Sequence, residues 1–177
     1  MTSDNPSGAG NQQERPGIEQ WIVGFVDGEG CFSCPLHRSP KLKLGWQVQP
    51  RFSVVQGERS VSVLELIRDF FGCGHLYRNR RSDNHREDLF NYTVFRLSDL
   101  TTIIVLFFEA NPLRTAKREE FVRFKQVLRM IELRMHLHVE GLRQIAEICQ
   151  LMNHRKPSRF LESSEAIRQP TFFDGES

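Results

Sequence analysis

Two rhythms of apolar and polar positions take turns along this chain. From Trp21 to Gly30 the order Trp-Ile-Val-Gly-Phe-Val-Asp-Gly-Glu-Gly is an apolar helical run that breaks at a glycine and delivers acidic residues at the break. Phe32, Cys34 and Leu36 then alternate with Ser33, Pro35 and His37, the period of a half-buried strand. In the next strand Trp46, Val48, Phe52 and Val54 point one way while Gln47, Gln49, Arg51 and Ser53 point the other. Ser60 stands where an N-cap belongs, and Val63, Leu64, Ile67, Phe70 and Phe71 run at helical spacing to a stop at Gly72. The same order repeats with a strand from Leu76 to Arg80, a polar turn over Ser82 to Glu87 and a strand from Leu89 to Leu97. Ser98 caps the helix that follows, which ends before Asn111-Pro112 because the residue preceding proline avoids helical geometry. Stripes at Phe121, Phe124, Leu128, Ile131 and Met135, and at Leu142, Ile145, Ile148, Cys149 and Met152, predict two closing helices.

The layout is helix, two rounds of strand-strand-helix, then two helices: an α+β chain with four antiparallel strands and helices on one side. Such a sheet leaves its other face open to water or a ligand. Here the open face carries Ser33, His37 and Ser39 from the first strand, Gln47, Gln49, Arg51 and Ser53 from the second, and Tyr77, Asn79, Arg81, Asn91 and Thr93 from the second pair. Glutamine, asparagine and arginine can bridge two base-edge groups in the major groove, and acidic residues are scarce on this face.

At 177 residues the chain is sized for one domain with a real core, spanning 18–153, with a mobile polar tail over 1–17 and a C-terminal tail over 154–177 that holds a short helix. Its net charge is only +2, but the stretch from Cys31 to Leu97 is distinctly basic. Nothing near Met1 reads as a secretory signal, and the longest apolar run, Ile103 to Phe108, is far too short to cross a bilayer. Neither a membrane nor a small-molecule cofactor is expected, and the location is intracellular, in an organelle or a bacterial or archaeal cytoplasm. Cys31, Cys34, Cys73 and Cys149 read as free thiols of a reducing compartment, and Cys34 as a core-facing strand residue in preference to a zinc ligand.

The helix break carries the chemistry. Gly24 and Gly28 lie on one helix face, and each costs about 1 kcal/mol of helix propensity relative to alanine, which points to another helix backbone coming very close. Asp27, Glu29 and the last helix carbonyls gather negative character that repels a substrate anion unless a divalent cation sits between them. The run from Ile22 to Gly30 resembles the LAGLIDADG motif of homing endonucleases, with Val23 for a small residue, Gly28 for alanine and Glu29 for aspartate. The stretch Asn111-Pro112-Leu113-Arg114-Thr115-Ala116-Lys117-Arg118-Glu119-Glu120-Phe121 looks like that family's Pro-Leu-x-x-x-Lys-x-x-Asp-Phe segment, with Glu120 for aspartate.

The resemblance implies an α-β-β-α-β-β-α fold with additional C-terminal helices, whose curved four-stranded sheet forms a saddle on double-stranded DNA. It implies two motif helices packed together, and this chain has one copy, so a symmetric homodimer is expected through Trp21, Gly24, Phe25 and Gly28. The expected activity is metal-dependent double-strand cleavage of a long, nearly palindromic site, leaving short 3′ overhangs. Glu29 and the Gly28 carbonyl are expected to hold Mg²⁺, or Mn²⁺ in its place. Lys117 matches the family's basic catalytic residue, and Gln56 a polar residue that orders water near the metal. Asp27 reads as structural, holding the helix end or its neighbour. Lys41, Lys43 and Arg80 are expected on phosphates. Asn84-His85 lacks the partners of an HNH site. A DNA-binding regulator without catalysis and an RNA-splicing maturase are the alternatives, the latter calling for a basic surface away from the sheet.

Overall fold

The computed structural model describes residues 17–80, 88–152 and 159–162. Helix α1 (Ile18–Glu29) leads directly into strand β1 (Gly30–Ser33). Then come β2 (Leu36–Arg38), β3 (Trp46–Val48), β4 (Arg51–Gly57), α2 (Val61–Phe71), β5 (His75–Asn79) and β6 (Leu89–Val94). Short helices α3 (Leu97–Asp99) and α4 (Val105–Ala110) are joined by a π-helical turn over Leu100–Ile104, and α5 (Lys117–Glu132) and α6 (Val139–Met152) close the fold. The main sheet is antiparallel with order β1-β4-β6-β5, and the helices cover one face of it.

The two first strands expected from the alternation are each cut in two, and β2 pairs with β3 as a separate sheet. Proline is the cause. The register is the same on both sides of the break, Ser33 against Arg51 and Leu36 against Val48. Continuing it sets Cys34 against Pro50 and Pro35 against Gln49, and proline has no N–H to donate to a ladder. Gln49 N still donates to Pro35 O at 3.0 Å, so the hairpin bends at the prolines without coming apart. Its turn closes with Gly45 at φ +69°.

Of the two expected helix starts, one falls where expected and one does not. Ser60 occupies the N-cap position of α2, but its side chain makes no capping bond. Ser98 lies inside α3 rather than before it, its hydroxyl donating to Asp99 while Thr102 donates back to its carbonyl. Strand β6 ends at Val94, three residues short of the expected Leu97.

The core sits between the sheet and helices α1, α2, α4 and α5. Phe32 of β1 is its hub, with ring centroids 5.2–5.5 Å from Phe52, Phe108, Phe121 and Phe124. A second, smaller cluster holds the bent hairpin. Trp46 packs edge-on against Phe160 at 5.4 Å, over Leu142 and Ala146 of α6. Phe160 lies in the stretch read as tail, yet it is buried and ties residues 159–162 to β3. The expected polar turn over Ser82 to Glu87, with Arg81 beside it, lies outside the described residues, as does all of 1–16.

The turn from α2 to β5 needs two glycines for different reasons. Gly72 (φ +63°) caps α2 and faces open space, whereas a Cβ on Gly74 (φ +81°) would lie 2.7 Å from the Tyr92 ring and 2.9 Å from the Thr93 carbonyl. Gly72→Ala should therefore cost only the left-handed backbone penalty of about 1–2 kcal/mol. Gly74→Ala adds a clash with backbone and should cost clearly more, roughly 2–4 kcal/mol, in urea unfolding of the two variants side by side.

Candidate active site

The end of α1 and the start of α5 are held together by a carboxylate. Asp27 accepts hydrogen bonds from Arg114 N (2.8 Å), Thr115 N (3.3 Å) and Thr115 Oγ1 (2.8 Å), so an aspartate in the first motif caps the segment leading into the second. Thr115 Oγ1 in turn accepts from Lys117 N at 3.2 Å, at the first turn of α5. Leu113 and Phe121 anchor the segment on either side by burying in the core. Burial acts to raise the Asp27 pKa, but the hydrogen bonds from Arg114 and Thr115 and the charge of Lys117 outweigh it and hold the carboxyl below its ordinary value.

This docking delivers Lys117 to the helix break. Its Nζ donates to Gly30 O at 2.5 Å, one residue beyond Glu29. Glu29 and Gly28 are exposed, and no other group among the described residues pairs with the Glu29 side chain. Gln56 sits half-buried at the end of β4, two residues past Val54, which faces Gly30 across the ladder. Its parity is that of Phe52 and Val54 on the packed side, not that of the open face. The outer face of α1 is bare: Trp21 and Phe25 stack at 5.2 Å, Trp21 is exposed, and a Cβ on Gly24 or Gly28 would touch nothing.

The open sheet face gathers the residues expected there. His37 and Gln47 are register partners on the β2–β3 hairpin, and both are exposed, as are Lys41 and Lys43 in its turn, while Ser39 is half-exposed at its base. Gln49, Arg51, Tyr77, Asn79, Asn91 and Thr93 line one concavity of about 490 Å³. Arg51 is exposed, and its Nε donates to Ser33 Oγ at 3.2 Å, which fixes one edge of the guanidinium. Thr93 donates to Asn91 Oδ1 at 3.1 Å, so the Asn91 amide oxygen is engaged within the face. Ser33, Ser53 and Thr93 are buried in the floor, and Arg80 is exposed past the end of β5. Sequence reasoning missed His75 and Phe95 on this face. Phe95 shares the parity of Asn91 and Thr93, and that alternation was the available signal.

A family model described as LAGLIDADG endonuclease matches residues 22–128. The chain belongs to the LAGLIDADG endonuclease family. Among curated relatives, "Probable intron-encoded endonuclease 3" of Neurospora crassa is 34% identical over 140 residues, covering 77% of this chain and 25% of that protein. "Probable intron-encoded endonuclease 2" of the same fungus is 35% identical over 83% of this chain and 32% of its own length. The chain thus spans a quarter to a third of these relatives. The homing endonuclease I-TnaI matches with a TM-score of 0.74 at 40% identity, over 85% of this chain and 97% of its own. I-SmaMI bound to an uncleaved DNA target with calcium ions also gives 0.74, at 30% identity, over 83% of this chain and 48% of its own. The α+β architecture is that of these LAGLIDADG homing endonucleases.

Cys34 is buried beside Cys149, whose hydrogen bond, together with burial, pushes its thiol well up, and no group of three metal-ligating side chains occurs among the described residues. Of the basic residues away from the sheet, Arg123, Lys125 and Arg129 pair with Glu119, Glu109 and Glu132, whereas Arg114, Lys117 and Arg118 form no ion pair among the described residues.

Because the folded Asp27 pKa is lowered, its contribution to stability is present above the ordinary value of 3.8 and is lost as pH falls through the lowered one. Asp27→Asn should be less stable than the parent at pH 7, by roughly 1 kcal/mol for a largely solvated clamp, and the gap should close below pH 4. Urea titrations of both proteins across pH 3–7 check it.

Proposed function

We propose that this chain acts as a site-specific, metal-dependent DNA endonuclease of the intron-encoded homing type, working as a homodimer on a long, nearly palindromic duplex and leaving short 3′ overhangs. The observation that carries the reading is the Asp27 docking, which sets the Lys117 ammonium beside the Glu29 end of the motif helix while leaving Glu29 itself unpaired. One carboxylate and neighbouring helix carbonyls fit Mg²⁺ or Mn²⁺, hard cations that take a few protein oxygens and keep several waters. Among the described residues a single subunit offers no closed cage, which suits a site completed by a second copy and by phosphate oxygens.

When bound, the cation neutralises charge at the scissile phosphate and activates water. Glu29 and the Gly28 carbonyl would hold it. Lys117, fixed by Gly30 O, presents a positive charge to the oxygen that gains charge as the P–O bond breaks. Gln56 orders water at the end of β4. The bare α1 face of Trp21, Gly24, Phe25 and Gly28 packs on its twin, bringing the two Glu29 carboxylates close to the dimer axis so that each serves one strand. The open sheets then lie on the two half-sites. Ser33, His37, Ser39, Gln47, Gln49, Arg51, Ser53, Tyr77, Asn79, Asn91 and Thr93 form the face turned toward the base edges. Lys41, Lys43 and Arg80 hold phosphates, so affinity falls as salt rises, and Arg81, outside the described residues, keeps its expected place with the base-reading set.

Glu29→Gln should reduce Mg²⁺-dependent cleavage by at least about a hundredfold, the scale on which single charge-stabilising groups act, while leaving binding of the same duplex largely intact. The assay is incubation with DNA from an intronless insertion locus, or with a randomised-site library. A variant that cuts at the parent rate removes Glu29 from the metal site, and specific binding without cutting by the parent in either metal favours a non-cleaving regulator.

A further inference from the structure

We infer that Phe95, with His75 stacked on it, forms a thymine-reading site on the open sheet face, its ring receiving the C5-methyl group of a thymine in the major groove. The inference rests on the duplex-DNA reading above. Phe95 is 50% exposed, the most exposed phenylalanine among the described residues, although its neighbour Val94 is fully buried. The ring is not loose. It stacks on His75 at 5.7 Å and 28°, and His75 lies 6.2 Å from Tyr77. Phe95 lines the same concavity as Gln49, Arg51, Asn91 and Thr93, and no acidic residue lines it.

An apolar ring set among base-reading hydrogen-bonding groups matches one feature of the major groove. Among the groups by which base pairs are told apart there, thymine alone presents a methyl, and the rest are hydrogen-bond donors and acceptors. His75 already lies against one face of the ring, which leaves an area suited to a methyl group more than to a whole stacked base. Beside it, Arg51 is steered by Ser33, so the apolar contact and the guanidinium fork keep a fixed spacing and would read neighbouring base pairs.

The test begins by selecting a duplex from a randomised library with the full chain in Ca²⁺. The selected duplex is then resynthesised with each thymine singly replaced by deoxyuridine, which removes only the methyl. The parent should lose roughly fourfold in affinity at one thymine per half-site, the worth of burying one methyl. Phe95→Ala should bind thymine and uracil equally at that position, and Phe95→Leu should keep the discrimination. Because the side chain is half exposed, truncating it leaves the core intact. Indifference of the parent to uracil everywhere, or unchanged discrimination in Phe95→Ala, overturns the inference while the duplex reading survives. Failure to enrich any duplex overturns the reading of function and the inference with it. Selective binding of single-stranded RNA that Phe95→Ala abolishes would instead assign the ring to stacking on unpaired bases.

Discussion

The arrangement depends on how Asp27 is satisfied. Its carboxylate ends an apolar helix, where the last carbonyls already concentrate negative charge, and a bare anion there would be unfavourable. Two backbone N–H groups and a hydroxyl from Arg114 and Thr115, 87 and 88 residues away in the chain, take up that charge. The same bonds fix the entry into α5, and with it the direction from which Lys117 approaches Gly30. Packing of Phe121 against Phe32 completes the clamp on the apolar side. Position, charge and core are thus coupled at one corner of the molecule.

That coupling divides labour between two acids only two residues apart. Asp27 is consumed by structure, and Glu29 stays exposed and available. The sheet shows a similar division. Its packed side is aromatic and dry, while its open side buries small hydroxyls at the floor and raises longer polar side chains around them. The break at Pro35 and Pro50 turns the outer hairpin into a separate two-stranded arm, and Trp46 and Phe160 hold that arm against α6.

Much of this was legible in the chain, because helix and strand periods are local signals. The motif helix, the alternation through Phe52 and Val54 and the stop at Gly72 all follow from spacing between near neighbours. The placement of Lys117 was legible only through resemblance, since spacing alone makes it one lysine at the start of a helix. What escaped depends on contacts distant in sequence or on geometry that alternation ignores. The prolines kept the hydrophobic period while removing ladder donors, so each of the first two strands became two. Ser98 satisfied a capping pattern, yet its hydroxyl found Asp99 instead. Phe160 sat in a polar, proline-containing stretch, and only the cleft between β3 and α6 gives it a reason to be buried.

The most direct test of the central claim, that each subunit brings its own Glu29–Lys117 junction to one strand, is a mixed dimer. Parent and Lys117→Met subunits carrying different tags would be co-purified through both and given a supercoiled plasmid bearing the selected site in Mg²⁺. Nicked circle as the main product, with linear DNA only from all-parent dimers, is the predicted result. Linear DNA formed by the mixed dimer at the parental rate would contradict the account.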